Sequence, residues 1–227
     1  DVIFNPVAQV KFVHTLSAGY VTAAMFVLGI SAWYLLKRRD VPFALRSFAV
    51  AAGFGLASTL SVIVLGDESG YTTGEVQKVK LAAIEAEWET AKPPASFTLF
   101  GFPNQKEERT DYAVKIPWAM GLIATRSVDT PVIGLSQLRD EHKENIQRGM
   151  IAFAALEKLR GGDKSPAVRA EFDKYKDDLG YGLLLKKYTP NVVDATPEQI
   201  HMAANDTIPP VAPVFWSFRI MVGLGFL

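Results

Sequence analysis

FVHTLSAGYVTAAMFVLGISAWYLL, residues 12–36, runs for 25 residues without a Lys, Arg, Asp or Glu. A second uncharged run, SFAVAAGFGLASTLSVIVLG, occupies residues 47–66. Each reaches the length of roughly 20 residues that an α-helix needs to cross a bilayer. The reading is therefore a membrane protein, all-α in class: a fragment of a polytopic transmembrane helix bundle carrying a long, mostly helical outer-face loop.

Residues 1–36 are expected to hold the first transmembrane helix. Asn5 is a good N-cap and Pro6 suits the first helical position, where a missing N–H costs nothing. Residues 37–46 (KRRDVPFALR) carry four basic residues and one acidic one, which marks a cytoplasmic loop by the positive-inside rule. The second span, residues 47–66, then ends at the outer face. Residues 67–208 form a polar excursion with 18 basic and 22 acidic residues; a loop of this length is translocated largely regardless of its charge. Residues 209–227 read as the start of a third span entered from the outer face, with Trp216 at the level of an aromatic belt. The chain starts with Asp and stops in apolar sequence, so it is expected to be an internal piece of a longer polytopic protein.

Within the excursion the pattern is mainly helical. Helices are expected over residues 75–90, ahead of Pro93-Pro94, and over 136–160, with Ile146, Met150, Ala154 and Leu156 or Leu159 near one apolar face and Gly161-Gly162 ending it. Ser165-Pro166 and Thr196-Pro197 open two short helices, reaching about Asp178 and Ala204. Residues 97–102 read as a short strand or an apolar loop.

Composition excludes several chemistries. The 227 residues contain no cysteine and balance 24 basic against 24 acidic side chains. Disulfides, zinc ribbons, Cys-ligated iron–sulfur clusters and covalent c-type haem attachment are ruled out, and no basic excess points to nucleic acid. No Walker A, nucleophile elbow, H-E-x-x-H or dinucleotide fingerprint is present.

Two residues inside the apolar runs have ligand chemistry, His14 and Met221. Each lies eight residues beyond a proline that starts its helix, Pro6 or Pro213, hence about 12 Å along the axis. Both helices enter from the same side, so the pair can lie at one depth and bind one haem iron axially. Periodicity alone favours a hydrogen-bonded His14 inside the bundle and a core-filling Met221. Arg219, six residues into its helix, needs a carboxylate, a haem propionate or an escape to the interface. Lys80 and Glu85, five apart, lie about 140° apart on a helix and do not make an i,i+4 pair. His142 and His201 sit among polar neighbours and are expected to be solvated.

Five strings carry a resemblance: Phe4-Asn5-Pro6-Val7-Ala8-Gln9-Val10-Lys11-Phe12-Val13-His14, Gly66-Asp67-Glu68-Ser69-Gly70, Lys80-Leu81-Ala82-Ala83-Ile84-Glu85-Ala86, Thr125-Arg126-Ser127-Val128-Asp129-Thr130-Pro131 and Phe218-Arg219-Ile220-Met221. They closely resemble subunit I of the cytochrome bd-type quinol oxidases, long quinol-loop class, over essentially the whole chain. The resemblance implies part of a membrane terminal oxidase that oxidises quinol and reduces dioxygen to water. It also implies a low-spin haem b held by His14 and Met221, with Arg219 beside it, and Lys80 and Glu85 tied to quinol oxidation. The high-spin haem b and haem d of the complete subunit would take their ligands from outside this segment. The implied partners are quinol, the remainder of subunit I, subunit II, a small accessory subunit and the lipid bilayer, with no nucleic acid. The implied location is the bacterial cytoplasmic (inner) membrane, multi-pass, with loop 67–208 on the periplasmic side. Without the resemblance, a two-span receptor or scaffold with a partner-binding ectodomain and no haem, or a transporter segment, fits the same residues.

Overall fold

The structure, a computed structural model, describes residues 5–225. The chain divides into two compact units, residues 1–77 and 78–227.

The first unit is a helical pair. α1 (Pro6–Leu36) begins as its cap predicts: the Asn5 side chain accepts from the Val7 and Ala8 backbone N–H groups. Residues 37–40 turn the chain, and α2 (Val41–Val76) returns. Both helices are long and apolar enough to cross a membrane. α2 does not stop at Gly66, where the apolar run ends, but continues through the polar residues 67–76 to a break at Gln77. Helix hydrogen bonding propagates at little cost once started, so the end of the apolar run and the end of the helix need not coincide.

The two helices meet along small residues. Ser17, Ala24 and Ser31 are buried at seven-residue spacing on α1, and Ala44, Ala51 and Ser58 repeat that spacing on α2. Side chains this small let helix backbones approach where the surroundings offer no hydrophobic driving force. The Ser17 and Ser61 hydroxyls lie 3.4 Å apart across the seam. The large apolar side chains, such as Phe12, Phe26, Trp33, Phe54 and Leu56, point outward.

The second unit opens with α3 (Lys78–Glu85), shorter than the 75–90 helix expected from composition. It ends because Ala86 adopts φ +50°. The Ala86 and Glu87 N–H groups then reach back to the carbonyls of Ala83 (3.2 Å) and Ala82 (2.9 Å), the Schellman closure of a helix C-terminus. β1 (Phe97–Asn104) and β2 (Arg109–Ile116) form one antiparallel hairpin with two register irregularities. The first strand settles the choice left open at residues 97–102, and the second has no counterpart in the expected helical pattern. It is a local addition to an otherwise helical chain.

α4 (Ala119–Thr125) and α5 (Leu135–Arg160) follow. The buried face of α5 is Leu138, Asn145, Ile146, Gly149, Ala152 and Phe153, rotated from the expected Ile146–Met150–Ala154 stripe. Ile146 is common to both faces and Met150 packs against its core, while α7 (Leu179–Leu183) crosses α5 at Gly149. A Cβ on Gly149 would lie 2.4 Å from the Gly182 backbone nitrogen, so only glycine fits there. α6 (Pro166–Tyr175) precedes that crossing, continuing as a 3-10 turn over Lys176–Asp178. α8 (Pro197–Asn205) starts with the complete capping box that Thr196 and Gln199 supply. α9 (Val211–Gly225) closes the described chain. One core joins α3, α5 and α9 through Ala82, Ala83, Leu135, Leu138, Val211 and Phe215.

Candidate functional site

Alanines at 82 and 83 leave α3 without bulk on one side, and α9 packs there through Val211 and Phe215. Arg219 follows those two residues at four-residue spacing and so lies on the same face of α9. Its guanidinium offers five N–H donors, and the chain takes up all five. Nε donates to the Leu99 carbonyl (3.1 Å), and Nη1 to the carbonyls of Ile84 (2.7 Å) and Phe215 (3.2 Å). Nη2 donates to Glu85 Oε2 (3.0 Å) and to the Thr98 carbonyl. The Phe215 ring lies 3.4 Å from the guanidinium carbon. The side chains of Arg219 and Glu85 are 9% and 4% exposed, so this is a buried ion pair joining α3, β1 and α9.

Burial pushes the Glu85 carboxyl up to about 7, against the pull of the Arg219 charge. The desolvation cost of the carboxylate outweighs one partner. Glu87 is also raised by burial, with Lys115 opposing the shift. Two carboxyls, one closing α3 and one two residues beyond it, are thus both raised by burial. Lys80 lies on the exposed side of the same helix. The structure therefore keeps Lys80 and Glu85 apart around α3, as their five-residue spacing requires.

On α9, Met221 follows Arg219 by two residues, about 200° around the axis, and is 58% exposed. Arg219 turns inward to Glu85 while Met221 turns outward. In this arrangement no Arg219 donor is left for a propionate.

His14 sits in the seam of the first unit. Its Nδ1 is buried without a hydrogen-bond partner. A Cβ on Gly66 would lie 3.4 Å from the His14 Cε1, so α2 passes close beside the imidazole at this position. Local sequence gave no sign of this pairing, which joins residues 52 apart.

One expectation needs correction. His142 is not solvated: it is half-buried, its Nδ1 lies 2.7 Å from the Thr207 hydroxyl, and its ring packs on Tyr181. The α8 cap holds residues 196–205 against α5 and so brings Thr207 within reach. His201 is exposed, as expected. A cavity of about 410 Å³ lies beside Trp88, Arg139 and His201 and includes neither Lys80 nor Glu85.

A family model described as cytochrome bd terminal oxidase subunit I matches residues 1–227. The chain belongs to that family. It is 48% identical over 227 residues to the cytochrome bd-II ubiquinol oxidase subunit 1 of Escherichia coli K12, covering all of this chain and 44% of that protein. It is 29% identical over 223 residues to the cytochrome bd ubiquinol oxidase subunit 1 of Bacillus subtilis 168, covering 98% of this chain and 36% of that one. The chain thus spans less than half the length of these curated relatives. A bd oxidase structure from Geobacillus thermodenitrificans superimposes with a TM-score of 0.53 at 20% identity, over 97% of this chain and 58% of that chain. That likeness supports the membrane-helical fold. Membership of the cytochrome bd family matches the resemblance drawn from the five sequence strings.

Proposed function

We propose that this chain is the electron-entry part of a bacterial inner-membrane quinol:oxygen oxidoreductase of the cytochrome bd type. In this reading α1, α2 and α9 are spans, loop 67–208 lies on the periplasmic side, and quinol is oxidised at that face. The receptor and transporter readings lose their support with membership of an oxidase family.

The residues fit a haem. The His14 imidazole has a ring nitrogen unengaged by the chain, and the Met221 thioether is exposed. Imidazole and thioether are a donor set used for low-spin haem iron. His14 and Met221 would hold the haem b, which when bound supplies a one-electron acceptor. Haem d and the high-spin haem b belong to parts of subunit I outside this segment. Subunit II and a small accessory subunit complete the assembly.

The observation that carries the quinol reading is Glu85: a carboxyl buried against Arg219 and raised to about 7. A group near neutrality is suited to accept a proton at working pH and release it again. Quinol loses two protons as it loses two electrons; Glu85 takes one of them, and the other leaves to the water of the periplasmic face. Lys80, exposed five residues earlier, holds a quinol oxygen by hydrogen bonding. Arg219 positions Glu85 and contributes its charge; with its donors occupied, it acts on the haem through that charge.

The test is a reduced-minus-oxidised visible spectrum of membranes containing the full-length protein and its His14→Ala variant. Loss of the low-spin b signal with the protein still in the membrane is the expected result. An unchanged spectrum overturns the ligand assignment.

A further inference from the structure

We infer that the β1–β2 hairpin is an interfacial anchor, seated at the headgroup boundary of the outer leaflet, with a phospholipid surface as its partner. The inference rests on the reading of α9 as a membrane-entering helix.

The hairpin runs along α9 and is tied to it at both ends. Near its tip the Gln105 side chain accepts from the Val211 N–H (3.1 Å) and donates to the Pro209 carbonyl (3.4 Å), at the start of α9. At its other end the Thr98 and Leu99 carbonyls accept from Arg219. Val211 and Arg219 are eight residues apart, so the hairpin follows α9 for about 12 Å along its axis.

Its surface chemistry changes along that same axis. The tip carries Lys106, Glu107, Glu108 and Arg109. Toward the other end the exposed side chains include Leu99, Phe100, Val114 and Ile116, with Lys115 the one basic residue among them. Polar groups therefore lie where α9 begins and apolar groups where it goes deeper, the order a membrane surface imposes on any element beside a span.

Between the two ends lies an aromatic cluster that includes the span itself. The Trp216 ring on α9 is 5.2 Å from Phe100 and 6.0 Å from Phe102, and Phe102 is 6.4 Å from Tyr112. Aromatic side chains concentrate at membrane–water boundaries. Tyr112 has φ +51° and is 85% exposed. Left-handed backbone at a bulky residue is strained, and here it lies in the stretch where strand register is irregular. Such irregularities re-aim side chains, and this one turns a tyrosine outward rather than into the unit.

The depth is limited by the backbone. β2 is one edge of a two-stranded sheet, and unpaired strand N–H and C=O groups are not tolerated in hydrocarbon. The headgroup layer, with water and phosphate oxygens, satisfies them. Exposed Lys115, paired with Thr98 at the apolar end, limits the depth further, because its ammonium has to stay among the headgroups. An anchor here would hold the segment bearing Lys80 and Glu85 close to the surface from which a lipid-borne quinol arrives.

The test uses the full-length oxidase in vesicles of phosphatidylethanolamine and phosphatidylglycerol, with a nitroxide placed through Tyr112→Cys, Val114→Cys or Glu107→Cys. Power-saturation resonance reads collisions with oxygen, which concentrates in lipid, and with a nickel chelate, which stays in water. Labels at 112 and 114 are expected to show an oxygen-to-nickel ratio severalfold above that at 107. Equal nickel access at all three sites overturns the inference, placing the hairpin in water. Shielding of 112 and 114 from both probes also overturns it, because a protein surface then covers them. All three positions carry exposed side chains, and quinol turnover of each labelled enzyme verifies its fold. The haem spectrum of the same samples reports separately on the proposed function.

Discussion

Arg219 Nη2 lies 3.0 Å from Glu85 Oε2, across 134 residues of sequence, with both side chains almost wholly buried. The pair connects the segment proposed to take protons from quinol with the helix proposed to supply a haem ligand two residues further on. Because the guanidinium also closes four backbone carbonyls, Arg219 is a structural tie as much as a charge. Removing it strands a buried carboxyl and four acceptors together.

Arg219→Gln is accordingly expected to destabilise the second unit by about 3–5 kcal/mol, the range for breaking one side of a buried pair. The double variant Arg219→Gln with Glu85→Gln removes the stranded charge and should recover part of that loss, a coupling readable from a double-mutant cycle. Hydrogen exchange over α3 and α9 in the full-length protein measures it. Additive losses would show that the two side chains do not act as a pair.

Glu85 sets a pH dependence whose sign follows from its shift. Its folded value, about 7, is above the ordinary 4.5, so the folded state binds the proton more tightly. The resulting stabilisation is complete below about 4.5 and is lost as pH rises through 7. Glu85→Gln should flatten this component of the stability profile between pH 5 and 8. Activity runs the other way, because a proton acceptor must be ionised: quinol kcat/KM should rise through pH 7 in the parent, and that limb should vanish in Glu85→Gln. A retained limb assigns the proton acceptor elsewhere.

Gly66 offers a steric test of His14. An alanine Cβ at 66 would stand 3.4 Å from the imidazole, which is ordinary contact. A valine would push further into a seam of small residues, where overpacking costs about 1–3 kcal/mol. Gly66→Ala should keep the low-spin haem spectrum, whereas Gly66→Val should shift or weaken it by displacing the ring. Identical spectra for both would mean that His14 is not held by this contact.

The sequence shows local features well and distant ones poorly, and the reason is the range of the forces. Asn5, Thr196 and Gln199 satisfy N–H groups within three residues, so their caps are legible before any fold is known. The two spans are equally legible, because a bilayer needs only length and lack of charge. β2 is not: its alternation is weak, and it is held by the β1 ladder, by the Thr110 hydroxyl that accepts from Trp88 Nε1, and by the Tyr112–Phe102 ring contact. The need of Arg219 for a carboxylate is legible from its place in an apolar helix, but which carboxylate is not, because Glu85 lies 134 residues away on α3, beyond any periodic pattern. The extension of α2 past Gly66 leaves no mark in hydropathy, because residues 67–76 are largely polar.

Thr196 provides a control that separates folding from chemistry. Its hydroxyl accepts from the Gln199 N–H while the Gln199 side chain accepts from the Thr196 N–H. The same Gln199 side chain donates to the Tyr188 carbonyl, so the cap also ties α8 to the preceding turn. Thr196→Ala removes the hydroxyl half and should cost about 1 kcal/mol. The loss should appear as faster hydrogen exchange in α8, and at the His142–Thr207 contact that α8 holds in place. Quinol oxidation and the haem spectrum should be unchanged, since no residue of α8 reaches the Glu85–Arg219 pair. If turnover fell along with α8 protection, α8 would have to be coupled to the quinol site through α5, whose Leu135 and Leu138 share a core with α3 and α9.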